Sequence, residues 1–281
     1  MREQGVQQET LPKITHSTKV SWKPLFRALP QLLKPRKVLS WNDEALKSSA
    51  PDEPTIASPK AVAWHVFSKE ETSEIKRISS DAMVTVNSLL LKHLDFSVRP
   101  SLANPTESIP WMVPVNLRGL VEQNTDTGNH SSYIAIKIGP QDRVQDVHRR
   151  IYNKIQRDEH WANWKAYEIT SSLSESRKQN LIDTNRAMLQ WNVGSFSNLG
   201  VWDSECEIED EYFATAWLFA PPVLRCQMIG AGCITVQGRL GVMLHAHPAL
   251  TTSQEIIDAW VQTWVKQIET GIPASMPPFG G

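Results

Sequence analysis

Two histidines, His245 and His247, stand two positions apart at the end of an alternating apolar segment. Side chains two apart in a strand share a face, so this spacing suits a pair of metal-ligating imidazoles or a general base with a neighbour. The sequence names no third ligand, and a strand end leading into a helix accounts for the same residues, so no metal site is assigned. Two further strings put polar groups on the shoulders of apolar runs. W-M-V-P-V-N-L-R-G at 111–119 offers Asn116 and Arg118, and G-S-F-S-N-L-G at 194–200 offers Ser197 and Asn198. Taken alone, the first reads as a strand end and the second as a turn.

Other chemistries are excluded by what their geometry requires. Gly230-Ala231-Gly232 lacks the third glycine of a dinucleotide fingerprint and precedes a strand rather than a helix, and no G-K-[ST] phosphate loop occurs. The serines of 194–200 sit at the wrong offset for a G-x-S-x-G nucleophile elbow. No bound cofactor is therefore expected. Three cysteines without C-x-x-C spacing indicate neither a disulfide framework nor a cysteine zinc site.

With 29 Lys+Arg against 30 Asp+Glu, net charge is −1, without the broad basic footprint of a nucleic-acid binder. The opening residues hold no apolar leader core, and the longest apolar stretch, 212–224, is too short to span a bilayer and contains Pro221 and Pro222. A cytoplasmic protein is expected. Residues 1–40 are basic and 203–211 acidic; both read as solvated faces.

The elements that must position these groups follow from periodicity. Residues 47–60, with Pro51, Pro54 and Pro59, read as an exposed linker, after a basic, proline-punctuated segment; together these make up 1–60. Alternation predicts strands at 61–67, 111–115, 133–138, 193–199, 212–219, 233–237 and 239–245, the last two joined by a turn at 237–239. Helices are expected after Ser68, whose capping box is completed by Glu71, over 85–94, from Asp142, within 161–190, and from Thr252 with Glu255. Trp64, Trp260 and Trp264 fall at core-compatible spacings. Strands interspersed with pairs of helices describe an α/β fold, one lobe with a mixed β-sheet covered by helices over 61–270, with a loose tail at 271–281.

Taken in order, V-T-V-N-S-L-L-L at 84–91, P-V-N-L-R at 114–118, Gly128-Asn129, S-N-L-G at 197–200 and the terminal strand and helix resemble the C-terminal half of the chloramphenicol-acetyltransferase-like superfamily. That superfamily includes peptide-synthetase condensation domains, polyketide-associated acyltransferases, and the alcohol or wax-ester acyltransferases, whose flavour this sequence approaches most. The resemblance implies a tunnel between two lobes, with an acyl-CoA or acyl-carrier thioester as co-substrate and a hydroxyl or amine acceptor. It makes Arg118 the partner of an aspartate in the other lobe's H-H-x-x-x-D-G motif. It puts Asn116, Ser197 and Asn198 along the substrate channel, with Ser197 or Asn198 at the position that presents polar groups near the developing oxyanion.

The pattern is broken at its base. None of the eight histidines has aspartate four residues on. The segment at 244–252, holding His245 and His247, resembles a degenerate pseudo-symmetric copy of the catalytic loop, which makes these two the candidate bases within the sequence. The expectation is thus a C-terminal lobe, acyltransferase-like, that needs a complementary N-terminal lobe or an oligomer partner. The alternative is a non-catalytic remnant of the same fold that holds an acyl chain or a protein. A length of 281 residues is ample for one lobe but short of a two-lobed enzyme.

Overall fold

The computed structural model describes residues 22–23, 26, 39–43, 46, 62–118, 120, 130–171, 173–174, 176–177, 192–202, 217–224 and 226–270. In chain order these form β1 (Val62–Val66), α1 (Lys69–Asp81), α2 (Val86–Val98), β2 (Ile109–Asn116), β3 (Ser131–Ile138), α3 (Val144–Gln156), α4 (Glu159–Ser171), β4 (Gly194–Trp202), β5 (Ile229–Val236), β6 (Arg239–Ala246) and α5 (Gln254–Glu269). A single mixed sheet runs in the order β1-β6-β5-β4-β2-β3. Its outer pairs are antiparallel, and β5, β4 and β2 at the centre run parallel. The expected α/β lobe is present.

One face of the sheet carries the core. Trp111, Val113, Phe196, Ala231, Cys233 and Leu244 project to it and meet Leu90, Leu94, Trp260 and Trp264 from α2 and α5. The aromatic residues are fixed by polar handles as well as by packing. The Trp264 indole donates to the Leu90 carbonyl at 2.9 Å, that of Trp260 donates to Ser101 Oγ at 3.0 Å, and Phe196 meets Trp264 edge-on.

Helix starts follow the sequence with two corrections. Ser68 and Glu71 form the expected capping box, and Thr85 caps α2. The last helix, however, is capped by Ser253 rather than Thr252, because Thr251 Oγ1 accepts the Ser253 amide and turns the chain one residue late. Asp142 does not open α3. Its carboxylate is taken by the Gly139 amide and the Arg150 guanidinium, and the helix begins at Val144.

Other differences concern strands. Trp64 is 58% exposed, because alternation puts Ala63, paired with the core residue Leu244, on the core face and Trp64 on the other. Within the segment expected to be a strand at 212–219, residues 217–219 form none, and 212–216 lie outside the described residues. The predicted linker at 47–60, the tail at 271–281, Gly128-Asn129, the acidic run at 203–211 and the end of the helix expected to 190 also lie outside them. The β5–β6 turn has the expected place: Gln237 and Gly238, both at positive φ, join Val236 to its partner Arg239 in the tight two-residue form.

Candidate functional site

The centre of the sheet opens where β2 and β4 run side by side. Their parallel pairing is limited to Met112 with Ser195, next to a bond from the Val193 amide to the Pro110 carbonyl of 3.0 Å. That bond sets the polarity of β2: the backbone groups of positions 110, 112 and 114 face β4. Prolines occupy the first and last of these, and proline has no N–H to give. Beyond Met112 the next donor the ladder would need belongs to Pro114, so the seam ends there. β2 keeps its full antiparallel ladder with β3, from Ile109–Ile138 to Asn116–Ser131, while β4 stays with β5.

The end of β2 and the middle of β4, which flank this opening, carry four of the six candidate residues. Asn116 closes β2, and its Oδ1 accepts the Arg118 amide at 2.9 Å. Asn198, on β4, repeats the device, its Oδ1 accepting the Gly200 amide at 2.8 Å. Gly200 sits at φ 81° beside an irregularity in the β4–β5 register between Asn198 and Val201. Asn116, Arg118 and Asn198 are exposed, whereas Ser197 is only 8% exposed. Beyond Asn198 the strand presents Leu199, Val201 and Trp202, all exposed.

The two histidines lie elsewhere. His245 pairs with Gly230, which pairs in turn with Ser195, so it sits level with the amino-terminal end of β4. Asn116 is four residues past Met112, roughly 13 Å further along the strand direction. The half-buried ring of His245 sets its Nε2 2.6 Å from the Pro221 carbonyl oxygen, and such a contact requires that nitrogen to be the donor. His247 follows the end of β6, where its Nδ1 accepts the Ala249 amide at 3.0 Å. The six candidates therefore do not form one cluster: Asn116 and Arg118 lie at the carboxyl-terminal end of β2, whereas Ser197 is only two residues past the level of His245. Among the described residues no group of three or more His, Cys, Asp or Glu could hold a metal ion.

What anchors β2 was not anticipated from the sequence. Asp95, fully buried in α2, accepts from Arg99 Nε and Nη2 at 2.7–3.0 Å and from the Trp111 indole at 2.9 Å. Arg99 spends its remaining donors on the carbonyls of Pro105, Glu107 and Ile138. Burial pushes the Asp95 carboxyl above its ordinary value, while Arg99 and Trp111 pull the other way. Lys92 reaches the Gly139 and Pro140 carbonyls, and burial lowers its affinity for a proton. This network clamps the start of β2 between α2 and β3. The available signal was an aspartate in the last turn of α2 and an arginine four residues on, at its C-cap.

No family model and no curated protein matches the sequence. Solved structures do match in fold. The epimerization domain from the third module of tyrocidine synthetase B superposes with a TM-score of 0.56 at 14% identity, covering 90% of this chain and 56% of that one. The cyclization-docking bidomain of the synthetase EpoB from Sorangium cellulosum gives 0.58 at 8% identity, covering 92% and 50%. The trichothecene 15-O-acetyltransferase TRI3 from Fusarium sporotrichioides gives 0.53 at 7%, covering 89% and 52%. The fold is thus the condensation-domain and acetyltransferase fold of the chloramphenicol-acetyltransferase-like type. The chain spans about half the length of these structures. No helix among the described residues is long and apolar enough to cross a membrane.

Proposed function

We propose that the protein is acyltransferase-like and works in the transfer of an acyl group from a CoA or carrier-protein thioester to a hydroxyl or amine. The observation that carries this reading is the parting of β2 and β4 after Met112, flanked by Asn116 and Arg118 on one strand and by Ser197 and Asn198 on the other. In open α/β sheets such crevices at the carboxyl ends of parallel strands take ligands. Both asparagines commit their Oδ1 to the backbone, which leaves each amide nitrogen as a donor. Donors fixed in this way suit a thioester carbonyl that gains negative charge as it is attacked.

The attack also needs a base, and the ring contacts of His245 and His247 are with the Pro221 carbonyl and the Ala249 amide. A complementary N-terminal lobe, or an oligomer partner, supplies it in this reading. The coverage of about half of each matching structure is consistent with such a partner. Arg118 supports the incoming motif.

The test is titration with butyryl- and palmitoyl-pantetheine, read by calorimetry. Saturable binding weakened by Asn198→Asp and Ser197→Ala supports the channel, and its absence up to millimolar ligand overturns it. Turnover of acyl-CoA with alcohol acceptors by this protein alone would remove the need for a partner. The exposed Leu199, Val201 and Trp202 favour a second reading, a non-catalytic acyl-chain binder. In that case affinity rises with chain length and Asn198→Asp leaves it unchanged.

A further inference from the structure

The face of the sheet opposite the core carries residues that burial alone leaves unexplained. Phe196 points to the core, so Ser195 and Ser197 point away from it, yet they are only 0% and 8% exposed. Beside them, on the same face, the backbone of residues 217–222 runs along the neighbouring strands β5 and β6. A Cβ on Gly241 would stand 2.5 Å from the Trp217 carbonyl oxygen, one on Gly232 2.2 Å from that of Phe219, and one on Gly230 2.2 Å from that of Pro221. Alternate carbonyls of this strap thus rest over three side-chain-free positions on β5 and β6. Glycine inside a strand marks such close approach of another backbone. Gly232 is paired with Ser197, and Gly230 with Ser195, so the strap runs beside the β4 wall of the channel.

The strap is seated but hardly bonded. Among the described residues no backbone hydrogen bond joins 217–222 to the sheet, and Pro221 and Pro222 have no N–H to offer. Two side chains hold it: His245 donates from Nε2 to the Pro221 carbonyl at 2.6 Å, and Gln227 Nε2 lies 3.4 Å from the Pro222 carbonyl and 2.7 Å from Ser195 Oγ. Trp217 remains exposed, and Leu218, though partly exposed, sets its Cδ2 3.1 Å from where a Cβ on Gly241 would stand.

We infer that residues 217–222 are a detachable wall of the channel, seated on Gly230, Gly232 and Gly241 and pinned by His245, which makes His245 a positioning residue for the Ser197 side. The wall's role in ligand access rests on the channel reading above; the pin itself does not. Release of the strap opens the face beside Ser195 and Ser197, so it regulates what can reach that side.

The test is alkylation of a thiol placed by Ser197→Cys, in a background where Cys206 and Cys226 are serine, with chymotryptic cleavage at 217–219 as a second readout. His245→Ala is expected to raise both rates at least tenfold. His245→Gln, whose amide nitrogen reaches the place of Nε2, should keep them within twofold of the parent. Gly232→Ala should raise them without touching the pin. Amide protection of β5 and β6 checks that each variant is folded; if Gly232→Ala does not fold, the two His245 variants decide. Parent-like rates in folded His245→Ala overturn the inference, and so does an equal rise in His245→Gln. These readouts need no ligand, so the two readings fail separately. Acyl-pantetheine binding that depends on Asn198 with unaltered alkylation sinks the strap alone. A released strap without acyl-pantetheine binding by any form sinks the channel and its regulation, and leaves a clasp of the sheet.

Discussion

Asn116, at the end of β2, and Asn198, at the irregularity within β4, make the same turn, each accepting through its side-chain oxygen from the amide two residues on, of Arg118 and Gly200 respectively. The repetition separates two roles within one side chain: oxygen shapes the turn, and nitrogen faces outward. Asn198→Asp keeps the acceptor and deletes the donor. Stability should stay within about 0.5 kcal/mol, while the acyl transfer proposed above, where it is the activity, should fall about 10²-fold. Asn198→Ala should lose both, as thermal unfolding and initial rates would show.

Pro114 is the wedge between β2 and β4. Pro114→Val restores an N–H on the side facing β4 and suits a strand. The amides of 196–198 are expected to gain protection in hydrogen exchange as the seam lengthens, and acyl-pantetheine affinity should drop. A variant with unaltered exchange would show that something other than the missing donor holds the strands apart.

Removing the Asp95 carboxylate strands the Arg99 guanidinium and the Trp111 indole in the core. Asp95→Ala should therefore cost about 3–5 kcal/mol in urea unfolding. Asp95→Asn keeps an acceptor for Trp111 and should cost less. A small loss in both would mean that the carbonyls of Pro105, Glu107 and Ile138 suffice for Arg99.

Acid should weaken the fold in two windows. Burial, helped by the Lys92 charge, lowers His93 to about 4. The unfolded chain then takes up that proton first, so stability is full above about 6.5 and is lost as pH falls towards 4. Asp142 is lowered to about 2 by its hydrogen bonds from Arg150, with the Gly139 amide assisting and burial opposing. Its contribution is full above its ordinary value of 3.8 and is lost as pH falls towards 2. His93→Gln should flatten the upper window of a plot of urea midpoint against pH, and Asp142→Asn the lower one.

Local pattern made much of the fold legible: Ser68 with Glu71, the apolar stripe of α5, and the alternation of β6 each state their structure within a few residues. The errors arise where a distant partner decides. Trp64 reads as core until the pairing of Ala63 with Leu244 puts it on the other face, and residues 217–219 read as a strand until they prove to lie on glycines well beyond them in the chain. The same holds at the site. Asn116, Arg118, Ser197 and Asn198 were visible as polar groups on apolar shoulders, but that β2 and β4 are neighbours, and part at Pro114, is set by the crossover between them. His245 was legible as a chemically able residue, and its partner Pro221 was not, because a carbonyl has no sequence signature.

The pairing of β1 with β6 bears on how the protein comes into being. Val62 bonds with Gln254, 192 residues later, and aligns with His245. During synthesis from the amino terminus, β1 must wait without a neighbour until nearly the whole compact region has emerged. Such non-local closure slows folding and leaves apolar edges open to wrong partners. A ribosome stalled before β6 would therefore hold a nascent chain with β1 unpaired, a state suited to capture by a chaperone rather than to unaided folding.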